Sequence, residues 1–243
     1  MENKPCTTLT DSDVINISIA TTPEEKKKEI YRLRYNVYAE EIGYNLVSVD
    51  HQNKLLYDDL DEWGTLFYAK FGSKIIGTVR VNIGQISDFS SEIVETYFME
   101  RFQKFYKRNE NYNFGLATKG MVSSTYRKFP VFTMLMTKVF EAYCENHVHF
   151  GFGNSNFHLL PLHEHYGHRR IGKNIVEPNL GLMASFVVLP DDIHHLQRVN
   201  FSFYKTALAK GKTQNKQVVD WFLAEFSEAV NIVNSQFTTE ESF

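Results

Sequence analysis

The sequence GTLFYAKFGSKIIGTVRVNI, residues 64–83, consists of two runs rich in β-branched and aromatic side chains, parted by Gly72-Ser73. Such runs read as strands, and a short Gly-containing break joins them as an antiparallel hairpin. Upstream, VINISIA (14–20) alternates in the same way and reads as a first strand. Thr21-Thr22-Pro23-Glu24-Glu25 then has a hydroxyl cap, a first-turn proline and acids at the positive dipole end, so it opens a helix. Ile30, Leu33, Val37 and Tyr38 recur at helical spacing and Gly43 is the expected stop. Residues 44–61 are long for a simple connection, which points to a functional loop or to a short helix within it.

Downstream of the hairpin, residues 89–107 read as a helix and Asn109–Asn113 as a polar link. FGLATKGMV follows as a fourth strand, then a helix over 131–146, the strand HVHFGFG, a helix over 155–168 ending near Gly167, and the strand LMASFVVL. From Asp191 onward two helical stretches, 191–210 and 214–235, are separated by Gly211-Lys212-Thr213. This order of elements predicts an α/β fold, a mixed sandwich as opposed to a doubly wound parallel sheet. Residues 13–190 are expected to form the main domain. Residues 191–243 are expected to be a helical extension packed on it.

The chain of 243 residues is long enough for one substantial core, and 20 Phe and 13 Tyr supply ample apolar surface. A net charge of -3 provides no overall attraction to nucleic acid or to an anionic membrane. Two cysteines, Cys6 and Cys144, make neither a disulfide framework nor a zinc ribbon, which fits a reducing compartment. The start MENKPCTTLTD lacks the basic and apolar regions of a signal peptide, and no apolar run reaches membrane-spanning length, so a cytoplasmic location is expected.

Chemistry-bearing residues concentrate in two places. The first is Arg32–Asn82, with Arg34 on the first helix, Tyr38 one turn later, Tyr44 after Gly43, Asp58 and Asp61 in the loop, and Arg80 after IIGTV. Loop acids orient a cationic nitrogen by charge-assisted hydrogen bonds, and a guanidinium fork suits a carboxylate. The same residues would equally make a structural ion-pair network. Asp59 and Glu62 read as solvated loop acids. The second is residues 114–172, where FGLATKGMVSSTYRKFPVF leads to LHEHYGHRRIG. His163, His165 and His168 miss the zincin spacing, since residue 167 is Gly167, so a metal site is not expected. Phe129, Phe132, Met134, Met136, Phe140 and Phe157 would either line an acyl tunnel or, as the stronger reading of their helical spacing, fill the core.

Together these segments resemble the GNAT superfamily of N-acyltransferases, and within it the bacterial N-acyl amino acid synthases and the acyl-homoserine lactone (autoinducer) synthases. The resemblance implies a mostly antiparallel central sheet with two splayed strands that admit a phosphopantetheine thioester. It also implies transfer of a long fatty acyl group to the amine of an amino acid or similar small molecule. Arg34, Asp58, Asp61, Arg80, Lys119 and His163 would form the catalytic set, with Arg34 and Arg80 bracing the acids or holding an acceptor carboxylate. Met121, Val122 and Ser123 would polarise the thioester carbonyl, and Arg127 and Lys128 would meet the donor's phosphate.

Three departures matter. The superfamily's phosphate-binding turn after the central strand has small residues, where this chain has Arg127-Lys128-Phe129-Pro130-Val131-Phe132. That favours a single phosphodiester on acyl carrier protein over coenzyme A, and Arg127, Lys128, Arg169, Arg170 and Lys173 would meet the acidic carrier. Leu116 stands where lactone synthases have an acid, followed at their hydroxyl and arginine positions by Thr118 and Lys119, which disfavours lactone synthesis. His163 stands where many members have a tyrosine, and would protonate the leaving thiolate. The general base stays open among Glu41, Asp58, a water chain and His163. No tightly bound cofactor is expected, and an oligomer remains open. The alternatives are a lactone-forming signal synthase and a non-catalytic module that binds acyl carriers.

Overall fold

The computed structural model describes residues 16–20, 24–44, 49–106, 112–172, 174–177, 180–199 and 202–227. Cys6, Lys173, the link at 109–111 and the end of the last expected helix lie outside the described residues.

In chain order the elements are β1 (Asn16–Ala20), α1 (Glu24–Tyr35), β2 (Thr65–Phe71), β3 (Lys74–Gly84), α2 (Ser91–Thr96), α3 (Met99–Phe105), β4 (Asn113–Val122), α4 (Val131–Glu145) and β5 (Val148–Asn156). They continue with α5 (Leu160–His165), β6 (Arg169–Arg170), β7 (Ile175–Glu177), β8 (Gly181–Val188), α6 (Ile193–Arg198), α7 (Ser202–Ala209) and α8 (Lys216–Glu225). The strands form one sheet in the order β1-β2-β3-β4-β5-β8-β6, with β7 also on β8. Every pairing is antiparallel except that of β4 with β5. This is the mixed α/β architecture that the element order predicts.

Strand alternation sorts the side chains into two layers. Phe67, Ala69, Val79 and Val81 pack with Leu135, Val139 and Phe140 of α4 and with Phe203 and Ala207 of α7. Leu66, Tyr68 and Met121 point the other way, onto Ile30, Leu33 and Val37 of the α1 segment. Phe114, Leu116, Phe150 and Phe152 share that second face and meet Phe102 of α3 and Phe222 of α8. The helices after Asp191 therefore contribute side chains to both layers. Met136 and Phe140 are core residues, whereas Phe157 is 41% exposed.

The parallel pair β4 and β5 sets up the site. Its register runs from Asn113↔Val148 to Ala117↔Gly153 and then stops, while β4 continues to Val122 and β5 to Asn156. Gly115 and Gly151 face each other in this pair, and a Cβ on either would lie within 2.3 Å of the Tyr143 ring. Two glycines thus let α4 sit close against the paired half. Beyond it β5 keeps only its pairing with β8, which runs from Gly151↔Val188 to Asn156↔Met183, while β4 keeps its pairing with β3, so the two strands part.

Three sequence expectations are corrected. Residues 89–107 hold two helices, α2 and α3, because Phe98 takes a left-handed conformation (φ 55°) between them. The helix expected over 155–168 starts only at Leu160, since β5 keeps its ladder with β8 as far as Asn156 and a 3-10 turn follows. The stretch 191–210 is two helices, α6 and α7. Among the described residues, no helix is long and apolar enough to cross a membrane.

Candidate functional site

Four elements bring the first group of predicted residues together. Helix α1 presents Arg34, β3 presents Arg80, β4 presents Thr118 and Lys119, and the loop before β2 presents Asp58 and Asp61. That loop is locally fixed. Asp58 caps a 3-10 turn at Asp59–Asp61 by accepting from the Leu60 amide at 3.1 Å, and Asp61 returns the bond by accepting from the Asp58 amide at 3.0 Å. Asn82 of β3 donates to the Leu60 carbonyl at 2.9 Å and ties the turn to the sheet. Gly64 is required beside it, because a Cβ there would lie 2.7 Å from the Leu60 carbonyl and 2.9 Å from the Arg80 side chain.

The charges interlock. Arg34 donates through Nη1 to both Asp61 oxygens at 2.8 and 2.9 Å. Arg80 pairs with Asp61 Oδ2 at 2.9 Å and with Asp58, while its Nε and Nη2 donate to Thr118 Oγ1 at 3.1 and 3.0 Å. Lys119 Nζ lies 3.4 Å from Asp58 Oδ2. Three cations thus share two carboxylates. Arg34, Arg80 and Asp61 are 0%, 1% and 3% exposed, whereas Asp58 is 40% and Lys119 27% exposed. Burial separates residues that the sequence left together: the first three are enclosed, and Asp58 and Lys119 reach the surface.

Electrostatics agree with that division. Burial opposes ionisation of Asp58, but the hydrogen bond and charge of Arg80, aided by Lys119, outweigh it and hold the carboxyl below its ordinary range. Burial lowers the Lys119 ammonium, with Asp58 acting against that and Arg80 and Arg34 adding to it. Asp58 is therefore a fixed anion and a poor base near neutrality. Lys119 also takes a left-handed backbone (φ 54°) in a β-bulge, where Arg80↔Thr118 and Thr78↔Met121 leave Lys119 and Gly120 opposite Val79 alone.

The face of this network opens on a cleft of about 1040 Å3, lined among others by Tyr31, Asp58, Asp61, Trp63, Tyr97 and Asn154. Asn154 is on β5 just past its last pairing with β4. Asp59, Glu62, Asp88 and Glu92 also line the cleft, against Lys27 and Lys28, so its wall is acidic. Asp59 and Glu62 are exposed, as expected of solvated acids.

Of the three residues expected to polarise a carbonyl, one is suited. The Ser123 amide donates to the Ile76 carbonyl at 2.9 Å. By the alternation of an antiparallel ladder, Met121 likewise faces Thr78, and Val122, opposite Gly77, turns its N–H and C=O away from β3. Its C=O accepts from Arg127 Nε at 2.9 Å. The Val122 N–H thus points to the side that β5 has left.

The remaining predicted residues lie outside the charge network. Arg127 is tied to Glu41 at 2.7 Å, and Lys128 is exposed with its Nζ 5.2 Å from the centre of the Phe129 ring. His163 lies on the α4 side of the sheet, stacked on Phe186 (centroids 4.2 Å) and edge-on to Phe132. Burial without an acidic partner lowers its pKa to about 4, so at neutral pH it is imidazole and has no imidazolium proton to give a thiolate. Leu116 is fully buried among aromatic rings, far from serving as an acid. Sequence reasoning missed Asn82, Asn154 and Asn156. Asn156 accepts from the Tyr44 hydroxyl at 3.2 Å, so the loop after α1 reaches across to the far side of the opening.

Comparison with known proteins places this architecture. Residues 33–137 match the acetyltransferase (GNAT) domain model. FeeM, an N-acyl amino acid synthase from uncultured soil microbes, superposes with a TM-score of 0.60 at 15% identity, covering 78% of this chain and 99% of its own. The CoA-dependent acyl-homoserine lactone synthase BjaI gives 0.55 at 15% identity over 87% of this chain and 100% of its own. The AHL synthase LasI gives 0.52 at 12% identity over 73% and 91%. At these identities the likeness is one of fold. No curated protein matches the sequence.

Proposed function

We propose that this chain, whose residues 33–137 match the acetyltransferase (GNAT) domain model, is an N-acyltransferase that moves a fatty acyl group from a phosphopantetheine thioester to a small amine such as an amino acid. The observation that carries this reading is the parting of β4 and β5 after Ala117 and Gly153, with the Val122 amide turned away from β3 on one side and an acidic cleft that Asp58 and Asn154 help to line. The thioester lies in the opening with its carbonyl oxygen at the Val122 N–H. The amine enters from the acidic cleft and is held by Asp58, which Arg80 and Lys119 keep ionised. The amine's nitrogen adds to the carbonyl carbon, the C–S bond breaks, and the proton lost by nitrogen ends on the thiol. A preorganised backbone donor at a developing oxyanion is worth about two to three decades in rate. With Asp58 held as an anion and His163 across the sheet, the proton leaves through water in the open cleft.

Acyl carrier protein is the favoured donor, because Lys128-Phe129-Pro130 replaces small residues at the turn after β4 and Pro130 lacks an N–H. Coenzyme A is the second reading, favoured by the likeness to BjaI, which is described as CoA-dependent. The test incubates the protein with acyl carrier proteins and acyl-CoAs of several chain lengths and mixed amino acids, then identifies amides by mass spectrometry. New amides with equimolar free thiol are expected. Binding of acyl carrier without thiol release would instead favour a non-catalytic binding module, and a lactone product would favour a signal synthase.

A further inference from the structure

Beyond Tyr35 the α1 segment continues in π-helical form through Asn36–Glu41, a geometry that often marks functional positions. Its last residue, Glu41, reaches the turn between β4 and α4. There Glu41 Oε1 accepts from the Ser124 hydroxyl at 3.2 Å and from the Ser124 amide at 3.4 Å, and Oε2 accepts from Arg127 Nη2 at 2.7 Å. A carboxylate is thus already seated on an amide, a hydroxyl and a guanidinium, ahead of the 15-residue helix α4 whose N-terminal dipole also favours negative charge. The same Arg127 holds the Val122 carbonyl at the edge of the opening. Glu41 is 27% and Arg127 48% exposed, so the pair is screened by water and exchangeable.

We propose that Glu41 is a resident anion that a donor's phosphate must displace, and that it thereby selects how much negative charge the donor carries. This rests on the reading that a phosphopantetheine arm enters between β4 and β5. An arm whose thioester lies at Val122 extends towards Ser124 and Arg127, and its phosphate takes the donors that Glu41 now holds. The displaced carboxylate remains beside the turn, tethered to the α1 segment. Its repulsion is small for the single phosphodiester of a carrier-borne arm and larger for the pyrophosphate and nucleotide phosphate of coenzyme A. Glu41 is then a specificity-determining residue, not a base.

The test is calorimetric titration of the wild type and Glu41→Gln with coenzyme A, phosphopantetheine and pantetheine. Glutamine keeps the size and can still accept from Ser124 and Arg127, so a merely structural link is preserved. Glu41→Gln is expected to bind coenzyme A about tenfold tighter and phosphopantetheine about threefold tighter, with pantetheine unchanged and both gains shrinking in high salt. Equal effects on all three ligands, or weaker binding of coenzyme A, would overturn the proposal. If the wild type still forms amides in that case, the acyltransferase reading survives it. If the wild type binds none of the three and forms no amide, both readings fall.

Discussion

Ala117 of β4 is the last residue paired with β5, opposite Gly153, and the next residue, Thr118, is the one that Arg80 grips through both Nε and Nη2. The buried charge network therefore attaches to the sheet at the point where the sheet opens. Rigidity of the opening and integrity of the network are one property, and the following variants separate its parts.

Thr118→Val keeps the shape of the side chain and removes the acceptor for two N–H groups of an arginine that is 1% exposed. Leaving buried donors unpaired costs about 1–3 kcal/mol, readable by urea unfolding. Amide formation is expected to fall about tenfold as Arg80 loses its orientation. Thr118→Ser restores both; a Val variant as stable and active as the wild type would show that this contact is incidental.

Lys119 couples backbone strain to charge, with φ at 54° and its ammonium 3.4 Å from Asp58. Glycine relieves a left-handed conformation worth about 1–2 kcal/mol, whereas alanine retains it. Lys119→Gly and Lys119→Ala should lose activity equally while the glycine variant unfolds at higher denaturant. Activity retained in both would remove the ammonium from the mechanism.

Gly64→Ala puts a methyl group against the Leu60 carbonyl and the Arg80 stem at 2.7 and 2.9 Å. Overpacking of this kind costs about 1–3 kcal/mol. Because both contacts belong to the acidic turn and its arginine, kcat is expected to fall more than stability alone explains. A variant with wild-type kcat at a temperature where it stays folded would contradict the coupling.

His163 predicts a pH dependence. Its folded pKa is about 4 against an ordinary 6.5, so between those values the unfolded chain binds the extra proton. Stability is full above about pH 6.5 and is lost as pH falls towards 4, by up to about 3 kcal/mol. His195, also lowered to about 4 by burial, adds a slope of its own. Unfolding free energies at pH 7 and pH 5 should differ less in His163→Phe than in the wild type. An unchanged difference would mean that His163 titrates normally.

The hairpin, β4, α4 and the core face of α1 were legible because their apolar positions keep period two or 3.6 over many residues. β6 and β7, at two and three residues, are too short to show any period. The break at Phe98 needs a left-handed residue that its side chain does not announce. Within the site, Arg34, Asp58, Asp61 and Arg80 were singled out by the resemblance to the synthases, and the structure does bring them together. Their division into enclosed and exposed members was not legible, since it depends on what packs over each. Glu41 meets Ser124 across 83 positions of sequence, a contact that no local pattern encodes. The neutral state of His163 likewise comes from Phe186 and Phe132, which the chain supplies from different elements.

The seat of the thioester can be observed directly by amide NMR of the uniformly labelled protein titrated with an acyl-pantetheine ketone, in which a methylene replaces the thioester sulfur. A carbonyl lodged between β4 and β5 shifts the Val122 amide downfield and perturbs Asn154, while Phe114 and Phe150, in the paired half of the same strands, stay in place. Saturable shifts elsewhere with Val122 and Asn154 unmoved would contradict donor entry at this opening.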